Sequence, residues 1–351
     1  MPARHRMLSE REQLELFRAL PGDLAPRDAQ DLMAYPFFSL AKTPRTMPID
    51  FRMNEIAIRV EAVPEHGMAT IWDADVLIWA ASQIVQARDK GLRTSRLMAA
   101  TPHEILTFVG RGTSKRDYHR LKAALDRLQS TTVATSLRQT HERRMHRFSW
   151  INEWTEHAGA CGNAAGIDLI VPDWFYRAVL DDALVLTIDA AYFKLTGGLE
   201  RWLYRLVRKH AGKQSAGWRF DFHHLYMKSA SLSSFKRFAF ELRDIVRRQP
   251  LPGYRLAVER EVRGRELLAF VGTTLSTGTC GQPVEALVLS GTNGHVLSGT
   301  GDSCYQEPGA EFSSSKSDAC NPPNLESNLK ESNCLAVGGD RSKWKTARGE
   351  R

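Results

Sequence analysis

The 351-residue chain is poor in what metal centres, disulfide frameworks and membrane spans are made of. It has five cysteines (Cys161, Cys280, Cys304, Cys320 and Cys334), and no two stand as C-x-x-C. An odd count, with four in a Ser-, Gly- and Asn-rich terminus, excludes a zinc framework or disulfide scaffold as the basis of the fold. No apolar run reaches the roughly 20 residues that a bilayer requires, and no signal peptide opens the chain. A reducing, cytoplasmic setting without membrane contact is expected. No G-x-x-x-x-G-K-[ST] occurs, so an ordinary ATP-binding loop, and strand separation by an ATPase, are excluded. No cofactor is expected.

What is present is positive charge. The 48 Lys and Arg outnumber the 40 Asp and Glu, for a net +8. The excess is uneven, because residues 275–351 hold only 7 Lys and Arg against 9 Asp and Glu. The basic surplus therefore belongs to the part with enough apolar residues to fold, which favours a surface for an acidic partner over a basic tail.

The most informative stretch is 101–151. Thr101-Pro102-His103-Glu104 reads as an N-cap, a proline in the first turn and the acid of a capping box. A short helix to about residue 109 is broken by Gly110-Arg111-Gly112, and Ser114-Lys115-Arg116-Asp117 caps a second helix. On a wheel of about 100° per residue, Tyr118, Leu121, Leu125 and Leu128 share one sector. Lys115, Arg116, His119 and Lys122 lie on roughly the other side. Two β-rich runs, 131–137 and 145–151, follow across a polar turn holding Arg143 and Arg144. This order is that of a winged helix-turn-helix, with a cationic helix suited to a major groove. A merely solvated basic face is the competing reading of such a helix.

Upstream, residues 36–50 hold three prolines and read as an extended connector. Residues 52–60 and 68–72 read as strands, and 74–90 as a helix ended by Gly91. Residues 155–166 read as a small-residue loop, and 155–190 as the join to a second copy of the order. That copy has a helix at 199–210, a strand at 218–220, a short helix at 221–227, a turn at 229–233 and a helix at 235–248. A hairpin over 254–271 then crosses Arg263-Gly264-Arg265. Phe235, Phe238, Leu242 and Ile245 face inward. Lys236, Arg237 and Arg247 face away, with Arg243 at the border. The expected architecture is α+β and mainly helical, with two tandem winged helix-turn-helix domains at 36–154 and 191–273. A flexible segment, 1–35, precedes them, and a low-complexity, disordered tail follows from 274.

Some residues invite an enzymatic reading. His223-His224 with Tyr226 can be compared with rolling-circle nicking enzymes, but adjacent histidines on a helix point about 100° apart and chelate one ion poorly. Asp73/Asp75 and Asp181-Asp182 read more simply as caps and solvated acids. No catalytic residue and no metal ligand is assigned, and the chain is expected not to be an enzyme. Near the N-terminus, Gln13-Leu14-Glu15-Leu16-Phe17 reads in two ways. It is either the start of an amphipathic helix with Leu14, Phe17 and Leu20 on one side, or a Q-L-x-L-F peptide for a sliding-clamp pocket. In the second reading Leu16 and Phe17 fill the pocket and Gln13 bonds at its edge.

Longer blocks resemble a known family. PFFSLAK (36–42), IWDADVLIWA (71–80), TPHEIL (101–106), GLERWLYRLVRKHAG (198–212) and FHHLYMKSAS (222–231) are similar to the replication initiator protein A family of bacterial plasmids. The resemblance covers about residues 33–273. It implies a bacterial, plasmid-associated protein that binds repeated origin sites in double-stranded DNA and acts with host DnaA, the DnaB helicase and the sliding clamp. It also implies a homodimeric form that represses its own promoter in copy control. It transfers no catalytic residues. The DNA-contact candidates therefore remain those of the wheels: Ser114, Lys115, Arg116, His119, Lys122, Arg143, Arg144, Lys236, Arg237, Arg243, Arg247, Arg263 and Arg265. A winged-helix transcriptional repressor without a replication role is the alternative, and a nicking enzyme a more distant one.

Overall fold

The computed structural model describes residues 9–139, 145–158, 164–211, 217–261 and 264–273. The elements fall in the order α1 (Glu10–Gln13), β1 (Leu16–Arg18), β2 (Arg27–Ala29), α2 (Gln30–Ala34), β3 (Ile49–Met53), β4 (Ile56–Glu61), α3 (Ala74–Asp89), β5 (Leu97–Ala100), α4 (Pro102–Phe108), α5 (Lys115–Ser130), β6 (Thr132–Thr135) and β7 (His146–Ser149). Then follow β8 (Glu153–Ala158), β9 (Ala164–Ile170), α6 (Asp173–Leu180), β10 (Val185–Thr187), α7 (Gly198–Ala211), β11 (Trp218–Asp221), α8 (Phe222–Ser229), α9 (Phe235–Arg248), β12 (Tyr254–Arg260) and β13 (Glu266–Gly272). The fold is mixed rather than mainly helical, since the described strands form four sheets, ordered β1-β5-β9-β8, β3-β4-β6-β7, β2-β10 and β11-β13-β12.

Two hydrophobic clusters organise these elements. The first is centred on α3, whose Leu77, Trp79, Ala80 and Ile84 are buried, and on the aromatic group of Phe37, Phe38, Trp150 and Trp174. Phe38 stacks on Trp150 with ring centroids 5.0 Å apart, and Phe148 stacks on Trp174 at 4.8 Å. The second gathers Trp202, Leu203 and Leu206 of α7 with Phe222, Phe238, Leu242 and Phe270, and takes in Met33 of α2 and Ile78 of α3. Close backbone approach sets the entry to α7: a Cβ on Gly198 would lie 2.0 Å from the Leu40 carbonyl oxygen, so a side chain there would displace the connector.

The repeated order of elements is present, with a difference in pairing. Both α3-β5-α4-α5-β6-β7 and α7-β11-α8-α9-β12-β13 run helix, strand, helix, helix, hairpin. In the second copy the strand joins its own hairpin, giving β11-β13-β12. In the first, β5 pairs instead with β1 and β9, while the β6–β7 hairpin extends β3-β4.

Several local expectations change. The strand expected over 52–60 is a hairpin, β3 and β4, turned at Asn54 with φ +53°. Residues 68–72 contribute only a bridge from Thr70 to Ser39. Residues 155–158 belong to β8, paired with β9, rather than to a loop. The N-terminal segment is not a free tether from residue 9 onward. Phe17 is 6% exposed and sits on β1, parallel to β5 with Phe17 opposite Met98. Leu14, Phe17 and Leu20 do not share the expected amphipathic helix: α1 ends at Gln13, and residues 16–18 pair instead with the free edge of β5. The connector is likewise packed, with Phe37 and Phe38 buried.

Candidate nucleic-acid interface

α4 and α5 meet across the six residues 109–114, in which Gly110 adopts φ +65°. Both helices start with the reciprocal caps expected of them. Thr101 Oγ1 accepts from the Glu104 N–H while the Glu104 carboxylate accepts from the Thr101 N–H at 2.7 Å. Ser114 does the same with Asp117, and its hydroxyl donates to Asp117 Oδ2 at 2.6 Å. That hydrogen bond holds the Asp117 carboxyl below the usual carboxylate range. The hydroxyl of Ser114, a DNA-contact candidate, is thus engaged in the cap. Leu121, Ala124, Leu125 and Leu128 bury one face of α5, which fixes what the other face presents.

That other face exposes Lys115, Arg116 and His119. None of the three has an ion pair or hydrogen bond among the described residues. Lys122 differs, because its ammonium lies 2.6 Å from Glu156 of β8. β8 is the strand that was expected to be loop, so this neutralising partner was invisible in the sequence.

α8 and α9 repeat the arrangement. Asp221 caps α8, accepting from the backbone N–H groups of His223 and His224, and Ser234 caps α9, accepting from the Arg237 N–H. The turn between them is tied down by Tyr226, whose hydroxyl donates to the Ser233 carbonyl at 2.9 Å and whose ring packs on Phe235 and Phe238. The two histidines have separate ring partners, His223 on Phe235 and His224 on Phe220. Tyr226 and the histidines are therefore built into the turn and the α8 packing.

The predicted cations of α9 divide as those of α5 do. Lys236 is exposed without an ion pair among the described residues. Arg237 pairs with Glu241 at 3.3 Å, Arg247 with Asp244, and Arg243 with Glu266 of β13, its Nε donating at 3.1 Å. The Arg243 guanidinium holds the Glu266 carboxyl below its usual range. Arg265 pairs with Glu261 at 2.7 Å. Arg143, Arg144 and Arg263 lie outside the described residues. Phe240, not among the candidates, is 58% exposed in the middle of the cationic face of α9.

Of the clamp motif, Leu16 is 45% exposed while Phe17 is in the core. No group of three or more His, Cys, Asp or Glu able to hold a metal occurs among the described residues, and no described helix is long and apolar enough to cross a membrane.

Two capped helix pairs, each followed by a hairpin, thus carry exposed basic side chains that have no acidic partner among the described residues, and the comparisons give the class of the chain. Residues 27–256 match the family model of replication initiator protein A, and the chain belongs to that family. A candidate replication protein of Wigglesworthia glossinidia brevipalpis is 29% identical over 228 residues, covering 64% of this chain and 82% of that protein. Among solved structures, domains 2 and 3 of RctB superpose with a TM-score of 0.51 at 17% identity, covering 67% of this chain and 94% of theirs. A second structure of RctB domains 2–3 gives a TM-score of 0.48 at 15% identity, over 70% of this chain and 97% of that one. At such identities the first of these likenesses concerns the fold alone.

Proposed function

We propose that this family member initiates plasmid replication by binding repeated sites in double-stranded origin DNA with two winged helix-turn-helix units. α5 and α9 act as recognition helices in major grooves about one turn apart. The observation that carries the reading is the set of exposed basic side chains, Lys115 and Arg116 with His119 beside them on α5 and Lys236 on α9, which have no acidic partner among the described residues. An unneutralised cation opposite a helix's buried face is available to phosphate. The element order and the β11-β13-β12 pairing agree with a wing behind α9.

The same reading assigns the chain no catalysis. Its output is recruitment of host DnaA, the DnaB helicase and the sliding clamp, with a dimeric form repressing the gene's own promoter. Docking of residues 13–17 in a clamp pocket requires β1 to leave β5, because Phe17 otherwise remains in the core.

The test is binding to DNA flanking the gene and to random DNA across a salt series. Flanking DNA is expected to bind roughly a thousandfold tighter or more, with a steep salt slope and repeated footprints. Equal, salt-sensitive binding to both would reduce the basic faces to general electrostatics and remove the initiator mechanism proposed here.

A further inference from the structure

The exposed face of α9 is not uniformly charged. Phe238, Leu242 and Ile245 fix the buried direction of the helix. At about 100° per residue, Phe240 falls about 180° from the middle of that buried arc. Lys236 and Arg247 flank it on one side, Asp244 and Arg237 on the other. A phenylalanine left 58% exposed at the point farthest from the core adds nothing to packing beneath the helix. The Arg237 guanidinium lies 5.5 Å from its ring centroid, and the ring forms part of the rim of a cleft that Leu40 and Leu199 also line.

The first unit has a counterpart. When the buried residues of the two helices are aligned, Leu121 with Phe238, Leu125 with Leu242 and Leu128 with Ile245, His119 falls on Lys236 and Ala123 on Phe240. Ala123 is also exposed. Both helices therefore carry a nitrogen-bearing side chain, His119 or Lys236, and, one turn on, an apolar side chain at the outward position.

We propose that Phe240 is a specificity residue that reads thymine by contact with its C5-methyl group in the major groove, beside a phosphate contact made by Lys236. The methyl is the one apolar feature that a base pair offers in that groove, and a phenylalanine ring reaches far enough from the helix to meet it, as a side chain cut back to Cβ at the same position would not. An apolar group at the centre of a charged face gains nothing from phosphate, so its contribution lies in sequence discrimination. This inference rests on the DNA-binding reading above and goes further in naming the base and the contact.

The experiment compares full-length wild type with Phe240→Ala and Phe240→Leu on duplex DNA flanking the gene. The DNA is synthesised with thymidine or with deoxyuridine in its place, which removes only the methyl. Wild type is expected to bind the thymidine duplex roughly fivefold or more tightly than the deoxyuridine duplex, the weak end of a base contact. Phe240→Ala is expected to bind both equally, at about the level of wild type on deoxyuridine DNA. Phe240→Leu should keep part of the discrimination. The salt slope should be the same for all three, because no phosphate contact is lost. Equal wild-type affinity for the two duplexes would overturn the proposal, as would discrimination that survives in Phe240→Ala. Wild type that fails to prefer flanking over random DNA would overturn the binding reading beneath it, and that failure shows in the wild-type chain alone.

Discussion

Arg205 of α7 and Asp28 of β2 face each other with both side chains only 1% exposed, the guanidinium donating to the two carboxylate oxygens at 2.6 and 2.9 Å. Burial pushes the Asp28 carboxyl up, and Arg205 opposes that shift. One turn earlier on α7, Arg201 donates to Asp75 of α3 at 2.8 Å, and Arg111 from the α4–α5 turn reaches the same carboxylate. α7 therefore binds its own cluster through its leucines and the first cluster through its arginines. Removing one partner leaves a buried charge alone, so Asp28→Ala should destabilise the chain by about 3–5 kcal/mol in chemical denaturation. Replacing both residues by apolar ones of similar size, Asp28→Leu with Arg205→Met, should recover most of that loss. Equal destabilisation by the single and double variants would show that the site needs the ion pair itself.

Phe17 and Leu16 separate core from surface in adjacent positions. Phe17→Ala removes a buried ring and should cost about 3–5 kcal/mol, whereas Leu16→Ala should cost under about 1 kcal/mol. A melting temperature for each variant checks this directly. Clamp binding is then best judged with Leu16→Ala, since loss of binding in Phe17→Ala would follow from unfolding alone. A Phe17→Ala chain as stable as wild type would place residues 13–17 outside the fold after all.

The sequence-legible parts were those whose determinants are local. Thr101 with Glu104, Ser114 with Asp117, the Gly110 break and the leucine spacing of α5 all lie within a few residues of what they specify, and each takes the form expected. The pairing of residues 16–18 and the burial of Phe17 depend on the free edge of β5, far along the chain, and a short polar-flanked run carries no sign of it. The β3–β4 hairpin hides because its turn uses Asn54 rather than glycine. Charge was legible as composition but not as availability. Glu156 and Glu266 neutralise Lys122 and Arg243 from strands that no helical wheel includes.

The caps carry a pH dependence whose sign is fixed. Asp117 has its folded value depressed by the Ser114 hydroxyl, and Glu266 by Arg243. A depressed carboxylate contributes stability that is present above its unfolded value, about 4, and is lost as pH falls through the lower folded value. Thermal melts between neutral pH and about pH 3 should therefore show stability falling on the acid side. Asp117→Asn should shrink the fall, because the group that titrates is gone. An acid limb unchanged in Asp117→Asn would mean that Asp117 has no preferred protonation state in the folded chain.

Availability also ranks the cations for DNA. Lys122 and Arg116 both lie on α5, yet the first already has Glu156 at 2.6 Å, and the second has no partner among the described residues. A paired cation must give up its carboxylate before it can neutralise a phosphate, and releasing it returns a negative charge to the surface. Lys115→Ala, Arg116→Ala and Lys236→Ala should each weaken binding to flanking and random DNA alike and lower the salt slope by about 1. Lys122→Ala should lower it by much less, because a lysine paired with Glu156 neutralises no phosphate, although the carboxylate left behind should weaken binding to both DNAs. The double variant Lys122→Ala/Glu156→Gln separates these effects by removing both charges, and it should bind close to wild type. A full unit of slope lost with Lys122 alone would mean that the ion pair opens in the complex, and that β8 belongs to the interface with α5.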